Sequence, residues 1–179
     1  MSNLPPIEFT TPRLTLRRPS VEDASVAFET WTQDPDVARY SGWAPHNAVS
    51  DTEAFFRQAE ARWDSGEGER VWAIERREDG RLLGTISALG RNGIALGYVL
   101  AKPHWNQGFM TEAVRTVIGA AFRMSDVYRV WAWCDVDNPG SARVMEKAGM
   151  QFEAILRKFS LHPAVSDEPR DCKCYAIVR

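Results

Sequence analysis

The segment Leu96-Gly-Tyr-Val-Leu-Ala-Lys-Pro-His-Trp-Asn-Gln-Gly-Phe-Met-Thr-Glu-Ala113 constrains the fold more than any other, because it reads as a strand running through a glycine turn into a helix. Gly108 permits the tight turn. The N–H groups of Gln107, Gly108, Phe109 and Met110 then stand at a helix start, where unpaired donors and the helix dipole favour an anion. Ala113, Val114, Val117, Ile118, Ala121 and Phe122 recur at helical spacing, so the helix has one apolar face that must pack on a sheet. A single glycine before a helix is more often a plain turn than a phosphate site, and spacing alone leaves both readings open.

Strands and helices alternate through the rest of the chain. Residues 13–18 alternate apolar and polar as a half-buried strand, and Ser20 with Asp23 opens a helix reaching about Gln33. Ser50 with Glu53 starts another, carrying Ala54, Phe55, Ala59 and Trp63 and ended by Gly66 and Gly68. Residues 71–74 and 82–89, joined through Asp79-Gly80, read as a hairpin, and 94–101 as the strand feeding the glycine loop. Residues 129–136 form a further strand. Asn138-Pro139 caps a short helix stopping at Gly149, and strands near 151–160 and 171–178 flank a loop with Pro163 and Pro169. No repeat and no low-complexity segment interrupts this order, which predicts an α/β chain, a mixed sheet with helices on both faces.

A chain of 179 residues with 44% hydrophobic content suits one domain spanning 1–179. The apolar stretch 117–122 is too short to cross a bilayer, and Met1-Ser-Asn-Leu-Pro-Pro lacks the basic and apolar parts of a signal peptide, so a cytoplasmic protein with no membrane partner is expected. A net charge of −2 offers no electrostatic reason for nucleic-acid binding. Cys134, Cys172 and Cys174 read as free thiols, the last two on one strand face, and the isolated His46, His104 and His162 predict no metal site.

Trp105-Asn-Gln-Gly-Phe-Met110, followed by Thr111-Glu-Ala, resembles motif A of the GNAT acyl-CoA N-acetyltransferases, in which a Q/R-x-x-G-x-G/A loop holds the coenzyme A pyrophosphate. Thr11-Pro-Arg-Leu-Thr-Leu-Arg-Arg-Pro, with Glu22-Asp23 and Asp34-Pro-Asp-Val37, resembles the opening of the ribosomal-protein N-terminal acetyltransferase (RimJ/RimL) branch. Asp137-Asn-Pro-Gly-Ser-Ala142 with Glu146-Lys-Ala-Gly149, and the ending from Arg170-Asp171 to Tyr175-Ala176, are similar to that branch's later segments. The resemblance implies the GNAT fold, α/β (α+β), with a mixed, mostly antiparallel sheet whose central strands splay apart. It also implies acetyl-CoA as cofactor without a metal, an amine acceptor, and a monomer or homodimer.

By the same resemblance, the pantetheine arm enters the splay and pairs with the backbone of Tyr98, Val99 and Leu100, and Trp105, Asn106, Gln107, Gly108, Phe109, Met110 and Thr111 form the pyrophosphate loop. A backbone N–H of Val99 or Leu100 is expected to face the oxyanion. Many relatives place a glutamate where this chain has Ala95 and a tyrosine where it has Met145. Ser141 is the remaining donor for the departing sulfur, with a helix-start role as its other reading. Asn138 is both a helix cap and the family's pantetheine contact. Asp135, Asp137 and Asp171 are candidate bases acting through water, and each is equally a cap or surface charge. Glu112 reads as structural.

An α-amine with pKa about 7.7–8.0 is roughly one-tenth neutral near pH 7, whereas a lysine near 10.4 is far less so. A protein or peptide N-terminal α-amine is therefore the first acceptor, and a small-molecule amine (amino acid, polyamine or antibiotic) the alternative. A non-catalytic acyl-CoA-binding module is the reading of another class. Trp31, Trp43, Trp63, Trp72, Trp131 and Trp133 are expected mainly in the core, while the loop from Tyr40 to His46 walls the acceptor cleft.

Overall fold

Leu14 and Leu16 are fully buried while Thr15 and Arg17 are only partly so, the period-two signature of a half-buried strand. That strand belongs to an eight-stranded sheet in a computed structural model that describes residues 7–90 and 93–179. The strands are β1 (Phe9–Thr10), β2 (Leu14–Arg17), β3 (Arg70–Arg76), β4 (Leu82–Gly90), β5 (Gly93–Leu100), β6 (Arg129–Asp135), β7 (Gln151–Ser160) and β8 (Arg170–Val178). They lie in the order β1-β2-β3-β4-β5-β6-β8-β7, and every neighbouring pair is antiparallel except β5 and β6. The segment Met1 to Pro6, read above for a leader, lies outside the described residues.

The helices are α1 (Ala24–Ala27), α2 (Pro35–Ala38), α3 (Val49–Ser65), α4 (Phe109–Phe122) and α5 (Pro139–Lys147). The helix expected from Ser20 to Gln33 keeps its span but changes pitch, from a 3₁₀ turn at Val21–Asp23 through α1 to a π turn at Phe28–Thr32. The start of α3 corrects the expected cap. The Asp51 carboxylate accepts the N–H groups of Asn47 and Ala48, which makes Ala48 the cap and leaves Ser50 in the first turn. Three short elements go beyond the expected set: β1, α2 and a 3₁₀ turn at Lys102–His104. Of these, α2 carried a signal, since Asp34 caps it with Pro35 in the first turn.

Two apolar clusters sandwich the sheet. On one face α4 and α5, through Ala113, Val114, Val117, Ala142 and Met145, pack with Leu96, Val130 and Ala132. On the other, Trp31, Val37 and Phe56 from the α1–α3 region pack with Ala73, Leu82 and Ala101, with Val99 against them. No helix among the described residues is long and apolar enough to cross a membrane.

The parallel pair β5 and β6 makes only the rungs Gly93–Arg129, Ile94–Val130 and Ala95–Trp131. Beyond them β5 stays paired with β4 to Leu100, and β6 with β8 to Asp135, so their facing edges diverge into a V-shaped gap. Gly84 of β4 makes room for this. A Cβ there would lie 2.1 Å from the Val99 carbonyl oxygen, so only glycine lets β5 lean toward β4 and away from β6.

Candidate active site

Along the β5 edge, backbone groups alternate between β4 and the gap. Ala101 N–H donates to Leu83 O of β4, and the Val99 carbonyl lies over Gly84 on the same side. Leu100 and Tyr98 therefore face the gap, and the Leu100 carbonyl already accepts the indole N–H of Trp105 at 2.7 Å. The three residues read together in the sequence are thus unequal. Tyr98 and the Leu100 N–H address the gap, whereas the Val99 backbone belongs to the β4 ladder.

Across the gap stands the start of α5. Asn138 Oδ1 accepts the Ser141 N–H at 3.1 Å, which makes Asn138 the cap, and Pro139 follows in the first turn. With its own N–H capped by Asn138, Ser141 turns its hydroxyl to the Tyr98 phenol, 2.8 Å away. Burial pushes the Tyr98 phenol well above its ordinary pKa. Burial likewise lifts the Cys134 thiol on β6 to about 11, so it stays protonated near neutral pH and is no nucleophile. Met145 is wholly buried in the core.

The glycine loop leaves the gap at the C-terminal end of β5. Asn106 and Gly108 take left-handed conformations, with φ of 59° and 80°, and Gly108 is the N-cap of the 14-residue α4. No side chain caps that helix, so the first-turn N–H groups of Phe109, Met110 and Thr111 are left for a ligand or water. Arg13 fastens the loop from β2's side. Its Nη1 donates to the Gln107 carbonyl at 3.0 Å, its Nε to Glu112 at 2.7 Å, and its guanidinium covers the Phe109 ring. Burial opposes the charge on Glu112, but the Thr11 hydroxyl and Arg13 outweigh it and hold its pKa below the usual carboxylate range. Glu112 is thus consumed by structure. An open cleft of about 610 Å³ lies beside this helix start, lined by Thr11, Arg13, Gly108, Thr111, Arg115 and Lys147. Its cations and helix dipole suit an anion. Arg13, Arg115 and Lys147 carry no local signal in the sequence: the contacts of Arg13 reach 94 and 99 residues along the chain, and Arg115 meets the Lys147 carbonyl 32 residues on.

None of the three candidate bases is free. Asp135 is fully buried and takes Arg170 on both oxygens, at 2.6 and 3.1 Å. Burial raises its pKa, yet Arg170 and the Asp137 N–H more than offset this and leave it below the ordinary value. Asp137 takes the same arginine at 2.7 Å, and Asp171 accepts the Lys158 N–H. The loop from Tyr40 to His46, expected to wall the acceptor cleft, is pinned to the α1–α3 region and to the segment after β7. His46 N–H donates to Thr32 O, His46 Nδ1 lies 2.7 Å from the Thr52 hydroxyl, and Ser41 O accepts from His162 Nδ1 at 3.3 Å. The tryptophans divide: Trp31, Trp63 and Trp72 are buried in the core, whereas Trp43, Trp131 and Trp133 keep part of their surface exposed. All three cysteines are free and buried.

Comparison with known proteins agrees with this geometry. The family model described as acetyltransferase (GNAT) domain matches residues 13–151. A Bacillus subtilis protein named uncharacterized N-acetyltransferase YoaA is 30% identical over 173 residues, covering 94% of this chain and 95% of its own. The crystal structure of a GNAT-family acetyltransferase from Bacillus anthracis superposes with a TM-score of 0.83 at 25% identity, over 96% of this chain and 98% of that one. RimL, a ribosomal L7/L12 α-N-protein acetyltransferase solved with coenzyme A, has a TM-score of 0.82 at 16% identity over 96% and 98% of the two chains, a likeness of fold.

Proposed function

The chain belongs to the GNAT acetyltransferase family and is an acetyltransferase, and we propose that it acetylates an α-amino group, first of all that of a protein or peptide N-terminus, in a ternary complex with acetyl-CoA held between β5 and β6. The observation that carries this is the gap itself, which begins past the Ala95–Trp131 rung and exposes a strand edge at Tyr98 and Leu100. A strand edge without a ladder partner demands donors and acceptors, and an amide-bearing arm provides them.

Acetyl-CoA, when bound, supplies an acetyl thioester: the amine lone pair forms the C–N bond while the C–S bond breaks with its electrons left on sulfur. Phe109, Met110 and Thr111 N–H groups, with Arg115 and Lys147 beside them, would hold the pyrophosphate end. Ser141 donates a hydrogen bond to the departing sulfur, and the amine proton passes to water. An α-amine suits this site because Ala95 provides no carboxylate and Asp135 is a weakened base under Arg170, so the acceptor must be substantially neutral on its own. The RimJ/RimL branch is the reading that joins this acceptor to the sequence resemblance, and RimL's own α-amine acceptor supports it.

Thiol release from acetyl-CoA, followed against N-terminal peptides, free amino acids, polyamines and aminoglycosides, tests the proposal. Release with α-amines ahead of the others is expected. Release with polyamines or aminoglycosides alone would replace the acceptor, and none with any amine would overturn the reading.

A further inference from the structure

The acceptor can approach the gap from one face only. On the other face α4 and α5 seal the sheet through Ala113, Val114, Ala142 and Met145. On the open face, α1–α3 cover the β2–β4 half, with Trp31 and Phe56 over Ala73. Over β5 and β6 that same face carries Ala95, Gly97, Trp131 and Trp133, since side chains alternate along each strand and Val130, Ala132 and Cys134 point to the sealed side. Trp131 is the rung partner of Ala95, so its indole borders the apex of the gap. Ala95 and Gly97 add almost no bulk, which leaves the floor flat.

The aromatic groups are arranged, not scattered. The Trp131 and Trp133 rings are 5.2 Å apart with 35° between planes, and Phe159 meets Trp133 edge-on at 5.3 Å and 84°. Phe159 is 43% exposed. Its direction comes from an irregularity in β7: the register with β8 shifts between Leu156 and Ser160, and Lys158 takes φ of 49° while its N–H donates to Asp171. A bulge of this kind re-aims a side chain. Among the nearby carboxylates, Asp135 and Asp137 pair with Arg170 and Glu153 with Arg129, while Asp171 accepts the Lys158 N–H. A planar group finds a stacking surface there.

We propose that Ala95, Gly97, Trp131, Trp133 and Phe159 form the acceptor site, and that its acceptor is a primary amine carried beside a planar π system, either an aromatic side chain or a nucleobase. This rests on the N-acetyltransferase reading above and narrows its acceptor. The flat group stacks on Trp133 against Phe159, and its amine reaches the apex beside Trp131.

The test compares kcat/KM for phenylalaninamide, a peptide with N-terminal phenylalanine, an alanyl adenosine conjugate, alaninamide and spermidine. The planar acceptors are expected to exceed alaninamide by about tenfold, with spermidine below it. Trp133→Ala and the more exposed Phe159→Ala should each shrink that ratio severalfold. The conjugate measured against the phenylalanine acceptors separates a nucleobase from a side chain. Turnover of alaninamide without preference for planar groups overturns this inference while leaving α-amine acetylation intact. So does a solution dimer that Trp133→Ala dissociates in sedimentation, since the floor would then be an interface between copies. No turnover with any amine removes both readings.

Discussion

The Tyr98 phenol lies 2.8 Å from the Ser141 hydroxyl, so one hydrogen bond spans from β5 to the start of α5 across the gap. Burial raises the phenol's pKa, and the Ser141 contact offsets only part of that, so Tyr98 stays protonated through the neutral range. The phenol is the stronger donor of the two. Either hydroxyl can donate in this contact; when the phenol donates, to Ser141 Oγ or to the Ser141 carbonyl 3.3 Å away, the serine hydrogen is free for another acceptor. A phenol raised in this way is a weaker acid than a thiol of pKa about 8.5, so the pair offers a departing thiolate a hydrogen bond and not a full proton.

Ser141→Ala is therefore expected to lower kcat about tenfold to hundredfold, less than the roughly 10²–10⁴ of complete proton transfer, with KM for acetyl-CoA nearly constant. Tyr98→Phe should lower kcat by a smaller factor, because Ser141 keeps its hydroxyl and loses only its orientation. Steady-state thiol release reads both, and an unchanged kcat in Ser141→Ala removes the serine from the leaving group.

Gly108 caps α4 with φ of 80°, and a Cβ there would come 3.4 Å from Arg13 Nη2. Gly108→Ala should raise KM for acetyl-CoA about tenfold, as the loop rotates its N–H groups off the pyrophosphate. Circular dichroism would confirm that the fold is kept. An unaltered KM would remove the pyrophosphate from this loop.

Arg170 holds the buried Asp135 ionised. In the parent, the depressed Asp135 pKa contributes stability above the unfolded value near 3.9, lost as pH falls through the folded pKa. In Arg170→Leu burial would be opposed only by the Asp137 N–H and by His162, 3.7 Å away, and is expected to raise that pKa, reversing the sign. The variant should melt lower than the parent at pH 7 and recover part of the difference by pH 5. Thermal unfolding at both pH values checks this, and a constant difference would contradict it.

Gly84→Ala would drive a Cβ into the Val99 carbonyl, 2.1 Å away, and force β5 toward β6. The expected cost is about 1–3 kcal/mol in chemical denaturation, accompanied by weaker acetyl-CoA binding as the gap narrows. Gly42, where a Cβ would meet nothing within 4 Å, is the control.

Much of the fold was legible because it rests on short-range physics. The α4 stripe, the Asn138-Pro139 start of α5 and the Asp79-Gly80 hairpin each carry their signal within a few residues, and each stands where expected. The α3 start differs from the expected one because Ser50 with Glu53 imitates a capping box, while Asp51 takes the free N–H groups of Asn47 and Ala48, so that the cap lies two residues earlier. β1 is two residues long and exists only by pairing with β2.

Turn chemistry and apolar periodicity act between near neighbours, so the longer strands and helices and the glycine turn are legible in the chain alone, and four ordered segments carry the family resemblance. Tertiary structure alone decided that Val99 turns to β4 while Tyr98 faces Ser141, that Arg13 fastens a loop 94 residues away, and that Asp135 is neutralised by Arg170. It also assembled Trp131, Trp133 and Phe159 into one floor. The physical reason is common to all of them: whether a polar group is paired, or an aromatic face left open, depends on what the chain brings against it from elsewhere, and local spacing carries no record of that partner.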